Sequence, residues 1–401
     1  MKIAFITYEY PPDIAQGGIA TYVMQVSKIL SSRGHSVEIF CGSHVRTISE
    51  NINGILIHRC KVQNPSDFQH ACLSMFIERN LEVKFDIIES PEINANALKI
   101  KEYFPHLPMV VKLHMPLYVQ MRLFNFYTSF YIKSRFFLGG LRRGRVRKFG
   151  FYNYTIDEDY KITLLADAIV SPSKSLKEII TSDWKIARNR INVIPYPFEP
   201  SANLLAIPIE NTNSNVVTFV GKLNVHKGIV NLVKAVPLVV KEFPNVIFNF
   251  IGNDSNFTAK KMLMSQYIKN CLQGLEKNYK IKGGLVYEEV LKEYENATIC
   301  IFPSIWENFP LVCLEAMSAG KPIIGSMQGG MNEMLSDGAG ILVDPLNVKQ
   351  IANAICNLLN NEKLRNEFGI AARKKVLANY NSNVIGVQIE KHYREVIDAK
   401  N

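Results

Sequence analysis

The chain has 401 residues, 47% hydrophobic and 20% charged, which excludes a disordered or fibrous protein and exceeds what one ordinary core organises, so two domains are expected. No apolar run approaches the roughly 18 residues of a membrane-spanning helix, and the seven cysteines (41, 60, 72, 271, 300, 313 and 356) form no CxxC pair and no cluster with histidine. That argues against a disulfide framework or structural zinc and suits a reducing cytosol. The net charge of +10 is partly local, because Lys133 to Lys148 holds seven basic residues and no acidic one.

The first residues, Met1 to Tyr8, run into Glu9 and read as a strand and loop, not a signal peptide. Strand-like runs follow at Val37 to Phe40, Ile55 to His58, Asp86 to Glu89, Met109 to Leu113, Ala168 to Ser171 and Ile191 to Ile194. Helical patterns fall between several of them. The clearest has Ile19, Tyr22, Val23, Val26, Ile29 and Leu30 on one face and stops at Gly34. Strands alternating with helices imply parallel strands joined by crossovers. The pattern breaks into Pro, Ser and Asn over 198–215, the expected linker. A second series takes Val216 to Val220, Val246 to Ile251, Thr298 to Phe302, Pro322 to Gly325 and Ile341 to Val343. The expected division is an N-terminal domain 1–197 with an insertion at about 115–160, a C-terminal domain 216–381, and a last helix within 382–401 that crosses back to the first domain. Two doubly wound parallel-sheet domains in tandem leave a cleft between facing strand ends, where α/β sheets collect ligands.

The richest stretch runs from Pro303 to Gly320, with Glu307 after an apolar strand and Glu315 inside a helix of mostly apolar residues. A charge there is costly unless something binds it. Pro310 suits the first helical position and Gly320 before Pro322 the stop, so a helix is predicted over about 310–319. Its first amides, near Asn308, Phe309, Pro310 and Leu311, would face an anion, while Glu315 offers a carboxylate to paired hydroxyls such as those of a ribose. A surface helix with one outward glutamate is the plainer alternative. Lys222 and Lys227, between Gly221 and Gly228, suit a diphosphate or are two exposed surface lysines. Gly17 and Gly18 open the first helix but form no GxGxxG, so a dinucleotide site is poorly supported.

Taken together, Gly17-Gly18, His114, Ser171-Pro172-Ser173, Val193 to Pro197, Gly221 to Gly228, Glu307 to Gly320 and Gly329 to Glu333 resemble the retaining glycosyltransferases of the GT-B fold, in the family 4 group typified by bacterial polysaccharide and phosphatidylinositol mannosyltransferases. The likeness spans nearly the whole chain. It implies two Rossmann-like domains facing a central cleft and transfer of a sugar, with retention, from a nucleoside diphosphate donor to a glycan or lipid-linked acceptor in surface polysaccharide assembly. A UDP-sugar is the donor expected on family frequency, with no cofactor and no metal. By the same resemblance Glu315 holds the ribose, the amides of Asn308 to Leu311 with Lys222 and Lys227 hold the diphosphate, and Glu307 sits beside the sugar. His114 contacts the sugar, Gly17 and Gly18 close over phosphate, and the base lies near Leu285 and Val286. Glu307, His114 and Lys227 are the catalytic candidates. The chain departs from the family at Lys222, where arginine is usual, at Tyr196, often asparagine, and at Met115. Other readings are an epimerase or phosphorylase of the same architecture, or a degenerate copy that binds sugar nucleotides without catalysis.

Two further features stand apart. Asp157-Glu158-Asp159 looks like the Asp-x-Asp metal motif of another glycosyltransferase fold but precedes a helix, and reads as a solvated acidic turn or helix start. The segment from Met115 to Tyr160 interleaves aromatics with the basic cluster Lys133–Lys148. It fits an anionic membrane surface, which would place the protein on the inner face of the cell membrane, or else a core with a solvated or acceptor-phosphate-binding basic face. RNA binding lacks a supporting module.

Overall fold

A computed structural model describes residues 1–14, 17–126, 130–142, 152–210, 215–257 and 260–400. In chain order, the first part forms β1 (Lys2–Thr7), α1 (Gly18–Ser32), β2 (Ser36–Ser43), β3 (Ile48–Ile52), β4 (Ile55–Lys61), α2 (Pro65–Val83), β5 (Ile87–Pro91), α3 (Leu98–Tyr103) and β6 (Met109–Lys112). There follow α4 (Leu117–Phe126), α5 (Phe130–Leu141), α6 (Glu158–Leu165), β7 (Ala168–Ser171), α7 (Lys174–Trp184) and β8 (Ile191–Val193). One sheet takes the order β3-β4-β2-β1-β5-β6-β7-β8, parallel except for β3, which runs antiparallel to β4. Its central strands are buried almost throughout because helices cover both faces.

The second part forms α8 (Ala202–Ala206), β9 (Val216–Val220), α9 (Ile229–Glu242), β10 (Ile247–Ile251), β11 (Asn256–Phe257), β12 (Met262–Leu263), α10 (Met264–Cys271) and β13 (Tyr279–Gly283). Then come α11 (Tyr287–Asn296), β14 (Ile299–Phe302), α12 (Leu311–Ser318), β15 (Ile323–Ser326), α13 (Met331–Leu335), β16 (Ile341–Val343), α14 (Val348–Asn360), α15 (Glu362–Asn379) and α16 (Ser382–Asp398). Its sheet is β13-β10-β9-β14-β15-β16, all parallel. The core lies where α9 (Ile229, Val233, Val236) and α14 (Ile351, Ile355, Leu358) cover β9, β10 and β14.

The chain divides into two compact units, one of Met1–Val119, Tyr152–Phe198 and Tyr380–Asn401, the other of Gln120–Phe151 and Glu199–Asn379. The insertion, expected at 115–160 within the first domain, thus divides at Val119. Its Gln120–Phe151 part groups with the second unit, where Arg122 and Leu123 of α4 line a cavity with Ile305, Gln328 and Pro345, and from Tyr152 it belongs to the first unit again. α16 belongs to the first unit. Ile385, Ile389, Tyr393 and Val396 make its buried stripe, and Arg33, the residue after α1, pairs with Glu390 at 2.8 Å.

Candidate active site

In each sheet the strand order reverses at one place, between β1 and β5 in the first unit and between β9 and β14 in the second. Connections leave such a pair in opposite directions, so their loops open a crevice at the carboxyl ends. In the second unit those loops are Gly221 to Gly228 after β9 and Pro303 to Pro310 after β14, and they carry the predicted Lys227 and Glu307.

The structure brings these two together. Lys227 Nζ forms an ion pair with Glu307 Oε1, and Ser304 Oγ donates to the other carboxylate oxygen at 2.8 Å. The loops lock on one another: the Ile305 amide donates to the His226 carbonyl at 2.8 Å, and the Lys227 amide to Asn224 Oδ1 at 2.9 Å. Gly228, at φ +77°, lies so close to Pro303 that a Cβ would stand 1.8 Å from its carbonyl oxygen. A third strand end closes on the same point. The Gly330 amide donates to the Glu307 carbonyl at 2.8 Å, and Gly329, at φ +76°, would carry a Cβ only 2.0 Å from that oxygen.

α12 begins one residue later than expected. Pro310 is extended and caps the helix, and the first helical bond runs from the Cys313 amide to the Pro310 carbonyl. The amides of Leu311 and Val312 precede that bond, as the first amides of any helix do. Asn308, Phe309 and Pro310 are buried, so the turn is fixed by packing. One turn further, Glu315 is half-buried, its carboxyl raised above the ordinary range by desolvation while a 3.0 Å bond from Tyr294 Oη opposes that shift. Tyr294, wholly buried on α11, also donates to the Val312 carbonyl at 3.2 Å and so fixes the glutamate against its own helix. Sequence reasoning missed Tyr294 and Ser304; Ser304 stands in the motif itself, whereas Tyr294 lies 21 residues from its partner and carried no signal. Lys222 is exposed, Leu285 half-buried, and Val286 is the exposed residue preceding α11.

In the first unit, Gly17 caps α1 and Gly18 is its first residue. Among the described residues, a Cβ at Gly18 would meet nothing within 4 Å and at Gly17 only Glu9 Oε2 at 3.9 Å, so none of them forbids a side chain at either place. His114 follows β6 and is buried. Its amide donates to both oxygens of Glu92 at 2.9 Å, and its Nδ1 lies 2.6 Å from Tyr196 Oη. Burial, helped by the Lys112 charge, pushes the imidazole down to about 3, so it is neutral at physiological pH. Lys112, itself brought down to about 7 by burial, donates to the Ile194 carbonyl at 2.6 Å and stands over the rings of Tyr22 and Tyr196. Glu92 is raised to about 8 by burial and the nearby Asp159. Tyr196, noted in the sequence only as a departure, is thus the partner of the predicted histidine.

One expectation needs correction. Asp157 does cap α6, accepting from the Asp159 amide at 2.9 Å, but Asp159 is not solvated: it is 2% exposed and raised to about 7 by burial. Helix α6 turns that side chain inward, where its Oδ2 accepts from the Leu117 amide at 3.3 Å. Of the basic cluster, Arg143, Arg145, Arg147 and Lys148 lie outside the described residues, while Lys133, Arg135 and Arg142 lie on or just after α5.

Comparison with known proteins agrees with this fold. The family model described as glycosyl transferases group 1 matches residues 203–375, and that of glycosyltransferase family 4 matches residues 16–201, so the two together span both halves of the chain. An uncharacterized glycosyltransferase of Methanocaldococcus jannaschii is 27% identical over 98% of each chain. The capsular polysaccharide biosynthesis glycosyltransferase CapM of Staphylococcus aureus is 26% identical over 63% of this chain and 68% of its own. Among solved structures, Anabaena HepE in complex with UDP superposes with a TM-score of 0.69 at 17% identity, over 98% of this chain and all of its own, a likeness of fold.

Proposed function

The chain belongs to family 4 of the GT-B glycosyltransferases, and from that premise we propose that it moves a sugar, with retention of configuration and without a metal, from a UDP-sugar to a glycan or lipid-linked acceptor in surface polysaccharide assembly. The observation that carries the reading is the Lys227–Glu307 pair at the reversal point of the second sheet, beside the N-terminus of a helix that bears the half-buried Glu315. In that arrangement Glu315 accepts the two ribose hydroxyls, and the first amides of α12 with Lys222 and Lys227 neutralise the diphosphate. Leu285 and Val286 flank the base. Glu307 faces the sugar, and His114, Gly17 and Gly18 of the first unit take the sugar and phosphate roles that the family assigns them. CapM acts in capsular polysaccharide synthesis, which supports the glycan product, and HepE, which shares the fold, was solved with UDP.

The reaction then runs as follows. The bond from the anomeric carbon to the diphosphate oxygen breaks while the acceptor oxygen bonds to that carbon on the same face. The acceptor proton passes to the departing diphosphate. The demand on the protein is to stabilise charge developing on the leaving group, which preorganised amides and ammonium groups meet without a strong base.

Thermal unfolding against UDP, GDP, ADP, CMP and dTDP, with and without EDTA, tests the proposal. At about a hundred times its dissociation constant the right nucleotide stabilises by about 2.7 kcal/mol. UDP should raise the midpoint whether or not EDTA is present, and Glu315→Gln should weaken UDP roughly 10- to 100-fold, the worth of charge-assisted hydrogen bonds, with the fold intact. Unchanged UDP affinity in Glu315→Gln sinks the ribose assignment. A shift abolished by EDTA sinks the metal-free site.

A further inference from the structure

Helix α5 presents an apolar stripe to solvent. Phe130, Phe137, Leu138 and Leu141, spaced i, i+7, i+8 and i+11, share one face, and they are 84%, 41%, 56% and 46% exposed. A face this apolar is ordinarily covered, since exposed patches of large side chains mark interaction sites. Lys133 stands on one flank of the stripe and Arg142, which follows the last turn, on the other. The sequence from Tyr103 to Ile156 carries nine basic residues and not one acidic residue.

We propose that α5 is a docking helix that lies in the plane of an anionic lipid bilayer, its Phe130–Phe137–Leu141 face in the acyl boundary and its flanking cations at the headgroups. Charge decides the occupant. A protein partner or a second copy of this chain would cover the stripe but would bring mixed charges to the flanks, and a second copy would set basic segment against basic segment. A bilayer with negative headgroups satisfies stripe and flanks at once, with the long Lys and Arg stems reaching up from the apolar layer. No described helix is long and apolar enough to cross a membrane, so the attachment is peripheral. The inference is independent of the sugar-transfer reading, because it rests on a surface that the second unit's nucleotide residues do not share.

Flotation of the full-length protein with vesicles of phosphatidylcholine alone, or with about a third phosphatidylglycerol, tests it. The protein should float only with the mixed vesicles and should be released as salt rises. Lys133→Ala with Arg142→Ala should lower partitioning about 25-fold, at about fivefold per basic residue near an anionic surface. Phe130→Ser with Leu141→Ser should lower it roughly tenfold or more. Phe130, Leu141 and Arg142 are exposed and Lys133 half-buried, so unchanged thermal unfolding of the variants confirms that the loss is one of docking. Hydrogen exchange on the mixed vesicles should slow across α5. Equal flotation with both vesicle types, no flotation, or wild-type flotation by both variants overturns the proposal. So does a self-association that the serine variants abolish while vesicle binding is unaffected.

Discussion

Tyr196 and His114 lie 82 residues apart in sequence, yet their side chains meet at 2.6 Å. Burial holds the tyrosine protonated and the imidazole neutral. With Tyr196 Oη donating to Nδ1, the ring's own proton sits on Nε2. Nitrogen-15 chemical shifts of His114 should therefore report the Nε2–H form, and Tyr196→Phe should mix the tautomers while lowering turnover roughly tenfold, the worth of one hydrogen bond. A phenylalanine variant with the wild-type tautomer and rate would mean that the contact only packs. Lys112, beneath the same rings, gives a pH signature. An unfolded lysine titrates near 10.4, but the folded one titrates near 7. Between those values the unfolded chain holds more protons, so Lys112 adds stability as pH rises from 7 toward 10, and this contribution is lost as pH falls back through 7. Lys112→Met removes the titration. The unfolding midpoint of the wild type should gain on that of the variant between pH 7 and pH 9; parallel curves would show the lysine charged throughout. None of this network was legible in the sequence, because a hydrogen bond across 82 residues leaves no local pattern. Tyr196 could be noticed only as an unexpected residue in a recognisable place.

Among the elements, those with dense apolar runs could be read, the edge strands β8 and β16 included, and the polar edge strands β3 and β13 could not. β1, β5, β6, β9 and β14 are buried on both faces and spell themselves out. β3, Ile48-Ser49-Glu50-Asn51-Ile52, is almost wholly exposed, and β13, Tyr279-Lys280-Ile281-Lys282-Gly283, lies at the other sheet's margin with two lysines. Edge strands carry polar side chains that guard against pairing with other chains, and so lose the pattern by which strands are found. The site loops were legible for a different reason. Their glycines are imposed by close approach, and Gly329 shows how tightly. An alanine there must push the Glu307 carbonyl away and adopt φ near +76°. Gly329→Ala should cost about 1–3 kcal/mol of stability and, by displacing Glu307 from Lys227, reduce turnover more than nucleotide affinity. Loss of affinity matching the loss of turnover would separate Glu307 from the sugar-facing role.

At the scale of the whole molecule, the chain leaves the first unit at Phe198, builds the second, and returns at Tyr380. The first unit is therefore incomplete until the last 22 residues, Tyr380–Asn401, are in place. α16 contributes Ile385, Ile389, Tyr393 and Val396 to its core, and Tyr393 Oη donates to the buried Glu89 at 2.5 Å. Four apolar side chains at about 1.5–3 kcal/mol each make a contribution of about 6–12 kcal/mol, comparable with the net stability of a domain. Each unit has its own sheet and core, and the nucleoside contacts proposed for the donor, Glu315, Leu285 and Val286, all belong to the second. Calorimetry should accordingly resolve two transitions. UMP, which lacks the sugar and second phosphate, should raise only one of them, and truncation after Asn379 should lower or abolish only the other. If truncation instead lowers the UMP-sensitive transition, or both ligand and truncation move a single transition, then the two units unfold as one body and α16 supports the nucleotide site as well as its own sheet.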